Sequence, residues 1–242
     1  MYKLEEKQAV SELSKNFDEF ITYALLIATS TMALSQKKRL INEKFKSIAK
    51  RNESIVNKAQ YNLYKNGKDN IYKALNKTPK RLTTAQKKEL EIITEQAQQK
   101  AIGMLNGYKV KADTLIVSEA LKQYRETGLG IDNAQERFAY GKKLKKKLAF
   151  QNSKGQRIKT KGLTRVIVGD SLYSGYVAGQ RSTLLNLDIL KVIHVSVMDN
   201  RTTEICASLD GKIRNILTDQ LPPMHVGCRS TVKPYKEKIN KK

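Results

Sequence analysis

The stretch LKVIHVSVM, residues 190–198, decides how the chain is read, because it is the first to alternate with a period of two. Ile193, Val195 and Val197 take one side and His194 and Ser196 the other, the pattern of a strand with one buried face. The segment from Ser230 to Tyr235 carries Thr231 and Val232 and is the expected partner strand. Pro234 suits its end or an edge, where a missing N–H breaks no ladder. Upstream of these residues the apolar spacing is three and four. The chain is therefore expected to be α+β and mostly helical, with an elongated N-terminal helical region followed by a small α+β C-terminal domain.

In the first helical stretch Val10, Leu13, Phe17, Phe20, Ile21, Ala24, Leu25, Ala28 and Met32 form one apolar stripe. The uncharged run from Phe20 to Gln36 reads as a buried or partner-facing helix. It is too short and too rich in Ser and Thr for the roughly 20 apolar residues of a bilayer span. Leu34, Ile41, Ile48 and Ile55 then recur every seven residues with Asn52 interrupting them, which gives a short seam for packing in a bundle or for self-association through the N-terminal helices. Asn66-Gly67 and Lys77-Thr78-Pro79 are expected breaks. Thr83 or Thr84 can cap the next helix, which carries Leu90, Ile93, Ala97, Ala101 and Met104 and should weaken at Gly103 and Asn106-Gly107. A further helix with Leu115, Ile116, Ala120, Leu121 and Tyr124 should end at Gly128. Composition divides the chain into a helical region over 1–128, a basic connecting segment over 129–164 and a C-terminal domain over 165–242.

Charge narrows the function classes. Lys and Arg number 46 against 23 Asp and Glu, a formal charge of +23. Such a surplus attracts polyanions, nucleic acid first among them. It is unevenly placed: between residues 141 and 165 basic residues accumulate with no acidic residue among them. Lys142, Lys143, Lys145, Lys146, Lys147, Arg157, Lys159 and Lys161 are the candidate contacts to double-stranded DNA, through phosphates and without sequence readout. A solvated linker or helix face is the alternative for this run. Glu5 and Glu6 precede any apolar core at the N-terminus, so no secretory signal is expected, and the protein should act in the cytosol. The two cysteines, Cys206 and Cys228, are clustered, which in a reducing compartment suggests a metal site or simple packing before a disulfide.

The chemistry-bearing residues fall in three short runs: MDNRTTEIC over 198–206, LDGK over 209–212 and PPMHVGCR over 222–229. This order resembles the C-terminal domain of the Mu F-like head morphogenesis family of tailed bacteriophages. That family ends with an aspartate-rich turn after a strand, an Arg-Thr pair, one or two cysteines, a Leu-Asp-Gly-Lys turn and a Pro-Pro-x-His-x-x-Cys-Arg element. The match spans about residues 165–235. Thr203 and Ser230 stand where many members carry further cysteines, so the strong candidate ligands are Cys206, His225 and Cys228. Asp199 or a water would have to complete a four-ligand zinc site. Without metal, the cysteines would pack as small buried hydrophobes and His225 would hydrogen-bond in a turn. Arg201, Thr202, Asp210 and Arg229 match the family pattern as a buried polar network locking the turns. Gly211 suits a positive φ, and Pro223 stiffens the approach to His225.

The resemblance implies a non-enzymatic minor head protein that works at the portal vertex. Its expected partners are the portal protein, a scaffold or coat protein and packaged DNA, with no membrane and no required cofactor. It would be found in the host cytoplasm during assembly and in the capsid interior of the virion. Two alternatives stand beside it. Cys206, His225 and Cys228 around an open-sided zinc would suit a virion-associated hydrolase or nuclease, and charge alone would suit a sequence-independent DNA-binding protein.

Overall fold

A computed structural model of the chain describes residues 2–30, 32–126 and 147–235. The fold is mostly helical α+β. Three long helices, α1 (Tyr2–Ala28), α2 (Leu34–Ala74) and α3 (Thr84–Glu126), precede α4 (Thr160–Thr164), a π-helical turn over Arg165–Gly169 and α5 (Asp170–Asn186). The strand β1 (Lys191–Val195), the short helix α6 (Glu204–Leu209) and the strands β2 (Ile213–Asn215) and β3 (Thr231–Pro234) complete the chain. Among the described residues no helix is long and apolar enough to cross a membrane.

Two compact units are assembled from interleaved segments, one from residues 1–8, 56–97 and 168–242, the other from 9–55 and 98–167. In the latter, Leu13, Phe17, Phe20 and Ala24 of α1 and Ile41 and Ile48 of α2 are buried. The seven-residue seam does not persist. Leu34 is exposed, Ile55 is half-buried and Val56 takes its place inside, because a straight helix drifts by about 20° per heptad. Asn52, the interruption, is buried against Asn16, whose Nδ2 donates to its Oδ1 over 2.8 Å. The uncharged run is not one helix. At the end of α1, Thr29 and Ser30 turn their hydroxyls onto the Leu25 and Ile27 carbonyls, and buried Lys37 donates to the Ala28 carbonyl over 3.2 Å. Those bonds satisfy carbonyls that a helix end leaves without partners. Nor does α3 stop at Gly103 or Gly107. It runs unbroken to Glu126, and Gly107 lies under the Phe150 ring, which an added Cβ would meet at 2.8 Å.

The other unit holds the sheet. The expected break at Asn66-Gly67 is absent, since α2 passes straight through it. Gly67 instead permits close helix packing: a Cβ there would stand 2.0 Å from the Tyr176 carbonyl oxygen of α5. Gly179, one turn beyond Gly175 on α5, meets α2 in the same way, 2.1 Å from the Tyr64 carbonyl oxygen. α2 ends only at Ala74, with Asn76 at a left-handed φ of 57°. The helix α3 opens with a reciprocal cap, in which Thr83 Oγ1 accepts from Gln86 N and Gln86 Oε1 accepts from Thr83 N. Above this scaffold lies an antiparallel sheet of order β2-β1-β3. Val192 faces Pro234 and Val195 faces Thr231 in the pairing of residues 190–198 with 230–235 that the alternation predicts.

The buried phase of β1 is the opposite of the expected one. Val192 and His194 are fully buried, while Ile193, Val195 and Val197 are half-buried. Val192 and Val232 pack with Ile71 of α2 and Leu184 of α5, so the helices cover that face of the sheet.

Candidate metal centre

The site grows from three local structures. Thr203 caps α6, its hydroxyl accepting from Cys206 N, and this fixes Cys206 in the first turn. The Leu-Asp-Gly-Lys turn follows, with Gly211 at φ 73° as its sequence requires and Gly211 N donating to the His194 carbonyl over 2.9 Å. Asp210 Oδ1 accepts from Ser196 N over 2.7 Å. The loop before β3 then carries His225, Gly227 at φ 73° and Cys228, behind a cis Pro222-Pro223 bond.

These structures bring Cys206, His225 and Cys228 together. Their ligand atoms all lie within 4.8 Å of one another. Cys206 Sγ is 3.2 Å from His225 Nε2 and 3.8 Å from Cys228 Sγ. Two sulfurs bound to one tetrahedral zinc at about 2.3 Å stand about 3.8 Å apart, the spacing of this sulfur pair. His225 Nδ1 lies 2.8 Å from the Val226 carbonyl oxygen. A carbonyl can only accept, so Nδ1 carries the proton and the Nε2 lone pair faces the sulfurs, the tautomer a metal needs. The group could hold a metal. Thr203 Oγ1 lies 3.0 Å from the same Nε2. The cavity beside the cluster, lined by Thr203, Cys206, His225, Arg229 and Ser230 among others, measures about 10 Å³, room for about one water.

Asp199 does not belong to this group. Its carboxylate grips the Arg229 guanidinium through two parallel bonds of 2.6 Å and also accepts from Arg201 N over 2.9 Å. The Arg229 fork, with that backbone bond, holds the Asp199 carboxyl well below the usual carboxylate range. Both oxygens are committed to these bonds, and Asp199 does not take the fourth-ligand role expected of it. Thr202 hydroxyl donates to the Val197 carbonyl and accepts from Asp199 N, which makes the turn after β1 rigid. Arg201 and Asp210 are exposed, so the polar network lies at the surface, with only Arg229 substantially covered. Pro223 is exposed and its neighbour Pro222 buried.

Sequence reading missed the residues that hold the cluster from behind. Asp170, in the first turn of α5, accepts from Gly227 N over 2.9 Å, and Tyr173 hydroxyl donates to the Ser230 carbonyl. Ser196 Oγ donates to the Cys206 carbonyl over 2.6 Å and lies 3.2 Å from Ser230 Oγ. An acid at a helix start and a serine in an alternating strand gave no sign of these distant partners.

Of the basic residues, Lys142, Lys143, Lys145 and Lys146 lie outside the described residues. Lys147 is exposed and pairs with buried Glu119 over 3.2 Å. Arg157, Lys159 and Lys161 are exposed and have no acidic partner among the described residues. A scan of protein-family models and searches of curated proteins and of solved structures return no match to this chain.

Proposed function

We propose that the chain is a non-catalytic minor head protein of a tailed phage, acting in head morphogenesis at the portal vertex and contacting packaged DNA. The observation that carries this reading is the convergence of the separated elements of the family resemblance. Asp199 meets Arg229, Cys206 meets His225 and Cys228, and the Leu-Asp-Gly-Lys turn closes on β1. A structural role for the cluster, with zinc as the ion its two thiols and imidazole suit, is supported by the small size of the cavity beside it, which has room for about one water. Exposed Arg157, Lys159 and Lys161, without acidic partners among the described residues, support a phosphate-binding surface.

The test is co-expression with the portal protein encoded in the same genetic element, followed by size-exclusion chromatography. Co-elution is expected, and it should persist at about 200 mM salt, where binding to phosphates alone is already much weakened. DNA binding should weaken steeply with salt and equally for unrelated duplexes. Replacing Arg157, Lys159 and Lys161 with Gln should flatten the salt dependence by about one unit of slope for each phosphate that is no longer neutralised. Elution apart from portal protein, together with no DNA binding at low salt, would reject the reading.

A further inference from the structure

Cys206 and Cys228 are the two cysteines of the whole chain, and both are free thiols. Both are buried, and their sulfurs stand 3.8 Å apart across 22 residues of sequence. We infer that this pair is a reversible oxidation site, at which hydrogen peroxide converts the dithiol to an intramolecular disulfide. Closing the bridge requires the sulfurs to approach to about 2.05 Å. Cys206 is held in a capped helical turn. Cys228 follows Gly227 in a loop without regular structure. With no third cysteine in the chain, only one intramolecular pairing exists.

The reaction balances in two steps. The Cys206 sulfur, 3.2 Å from His225 Nε2, attacks one peroxide oxygen. The O–O bond breaks, a sulfenic acid forms, and the second oxygen leaves as water with the thiol proton. The Cys228 sulfur then attacks the sulfenic sulfur. An S–S bond forms, the S–O bond breaks, and the hydroxyl leaves as a second water with the Cys228 proton. Each sulfur is oxidised by one electron, and the peroxide is reduced to two waters. The neighbouring thiol at 3.8 Å intercepts the sulfenic acid before a second peroxide can oxidise it further. A metal on these sulfurs would be displaced by the bridge, but the inference rests on the sulfur pair and does not require the metal.

The experiment uses the purified full chain, as isolated and after treatment with a chelator. Each sample is titrated with hydrogen peroxide, and thiols, intact mass and released zinc are measured. In both samples the two thiols should disappear together, the mass should fall by about 2 Da, the chain should stay monomeric on a non-reducing gel, and dithiothreitol should restore both thiols. Cys228→Ser and Cys206→Ser should each gain oxygen at the remaining cysteine, with no mass loss. Oxygen addition to the wild-type cysteines, disulfide-linked dimers, or thiols that survive excess peroxide in the chelated sample would overturn the inference. Zinc release that accompanies bridge formation bears on the metal reading. A sample that forms the bridge without ever having held zinc refutes that reading alone.

Discussion

Replacing Gly179 by Ala adds one methyl group where α5 crosses α2. The new Cβ would stand 2.1 Å from the Tyr64 carbonyl oxygen and 2.9 Å from its carbon. Carbon and carbonyl oxygen make ordinary contact at about 3.3 Å, so the helices would have to separate by about 1.2 Å or bend. The obstacle is backbone on a helix that cannot yield as a side-chain tip would, which puts the cost near the upper end of overpacking, about 3 kcal/mol. Against it stands the better helix propensity of Ala, about 1 kcal/mol. The net loss of about 2 kcal/mol should lower the melting temperature by about 4–8 °C for a chain of this size. Gly67→Ala, with its Cβ 2.0 Å from the Tyr176 carbonyl oxygen, should behave alike. Gly103→Ala supplies the contrast: it is a helical glycine with nothing within 4 Å of the added carbon, and it should gain up to about 1 kcal/mol. Thermal melts followed by circular dichroism read all three. If Gly179→Ala and Gly67→Ala melt at or above the wild-type temperature, the close crossing is wrong.

Three further outcomes follow from the same geometry. Thr83→Ala removes the reciprocal cap at the start of α3 and should cost about 1 kcal/mol, and Thr83→Ser should recover most of it in the same melts. His194 is fully buried, and neither ring nitrogen has a hydrogen-bond partner among the described residues. Burial lowers its pKa, the Arg214 charge adding to the effect and Asp210 opposing it. The unfolded chain therefore takes up the proton first. Stability is complete above the unfolded value of about 6.5 and falls as the pH drops from there toward the lowered folded pKa. His194→Leu should reduce the fall in urea midpoint between about pH 7.5 and 5.5, a window that brackets the unfolded value, and an unchanged fall would move the acid sensitivity elsewhere. Arg229→Ala should raise the pKa of the Asp199 carboxylate toward its ordinary value, with the Arg201 N bond still holding it below, which an NMR titration of that side chain would read; an unchanged titration would count against the fork as the main cause.

The sheet was legible where the sequence alternates long enough. The expected strands 190–198 and 230–235 do pair, over Lys191–Val195 and Thr231–Pro234 with residues 196–198 left outside, but β2 spans only Ile213–Asn215, too few residues to display a period. The phase of β1 was ambiguous in itself, because Val192, Ile193 and Val195 are all apolar. Counting hydrophobes favoured the Ile193 face, whereas the helices carrying Ile71 and Leu184 cover the Val192 face, and burial follows the cover. Gly67 and Gly107 show the same limit. A glycine in a helical pattern reads as a weak point, and its use as a place for Tyr176 or Phe150 to approach depends on residues far along the chain. The convergence of Cys206, His225 and Cys228 was legible because it followed from the order of motifs. The Asp199 role was not, since a carboxylate near two arginines competes for them before it can serve a metal.

The two sulfurs are placed by separate supports, and this bears on what the cluster does. Cys228 is bracketed by α5, with Asp170 holding Gly227 N on one side and Tyr173 holding the Ser230 carbonyl on the other. Gln180, one side chain of the same helix, accepts from Thr231 Oγ1 over 2.8 Å and donates to the Val232 carbonyl over 3.3 Å, so the start of β3 is fixed to α5 as well. Cys206 takes its position from the β1 side, through Ser196, and from the Thr203 cap. The ladder between β1 and β3 and the fork between Asp199 and Arg229 join these two sets, and the Cys206, His225 and Cys228 group is a further place where they meet. Metal at that joint, or a bridge between its sulfurs, would tie the loop before β3 to the turn after β1 without any demand for a substrate cavity. The glycine crossing sets where α5 lies, and α5 sets where Cys228 lies. Gly179→Ala should therefore disturb the thiol pair as well as the melting temperature, slowing disulfide formation under peroxide relative to Gly103→Ala, and equal rates in the two variants would separate the crossing from the site.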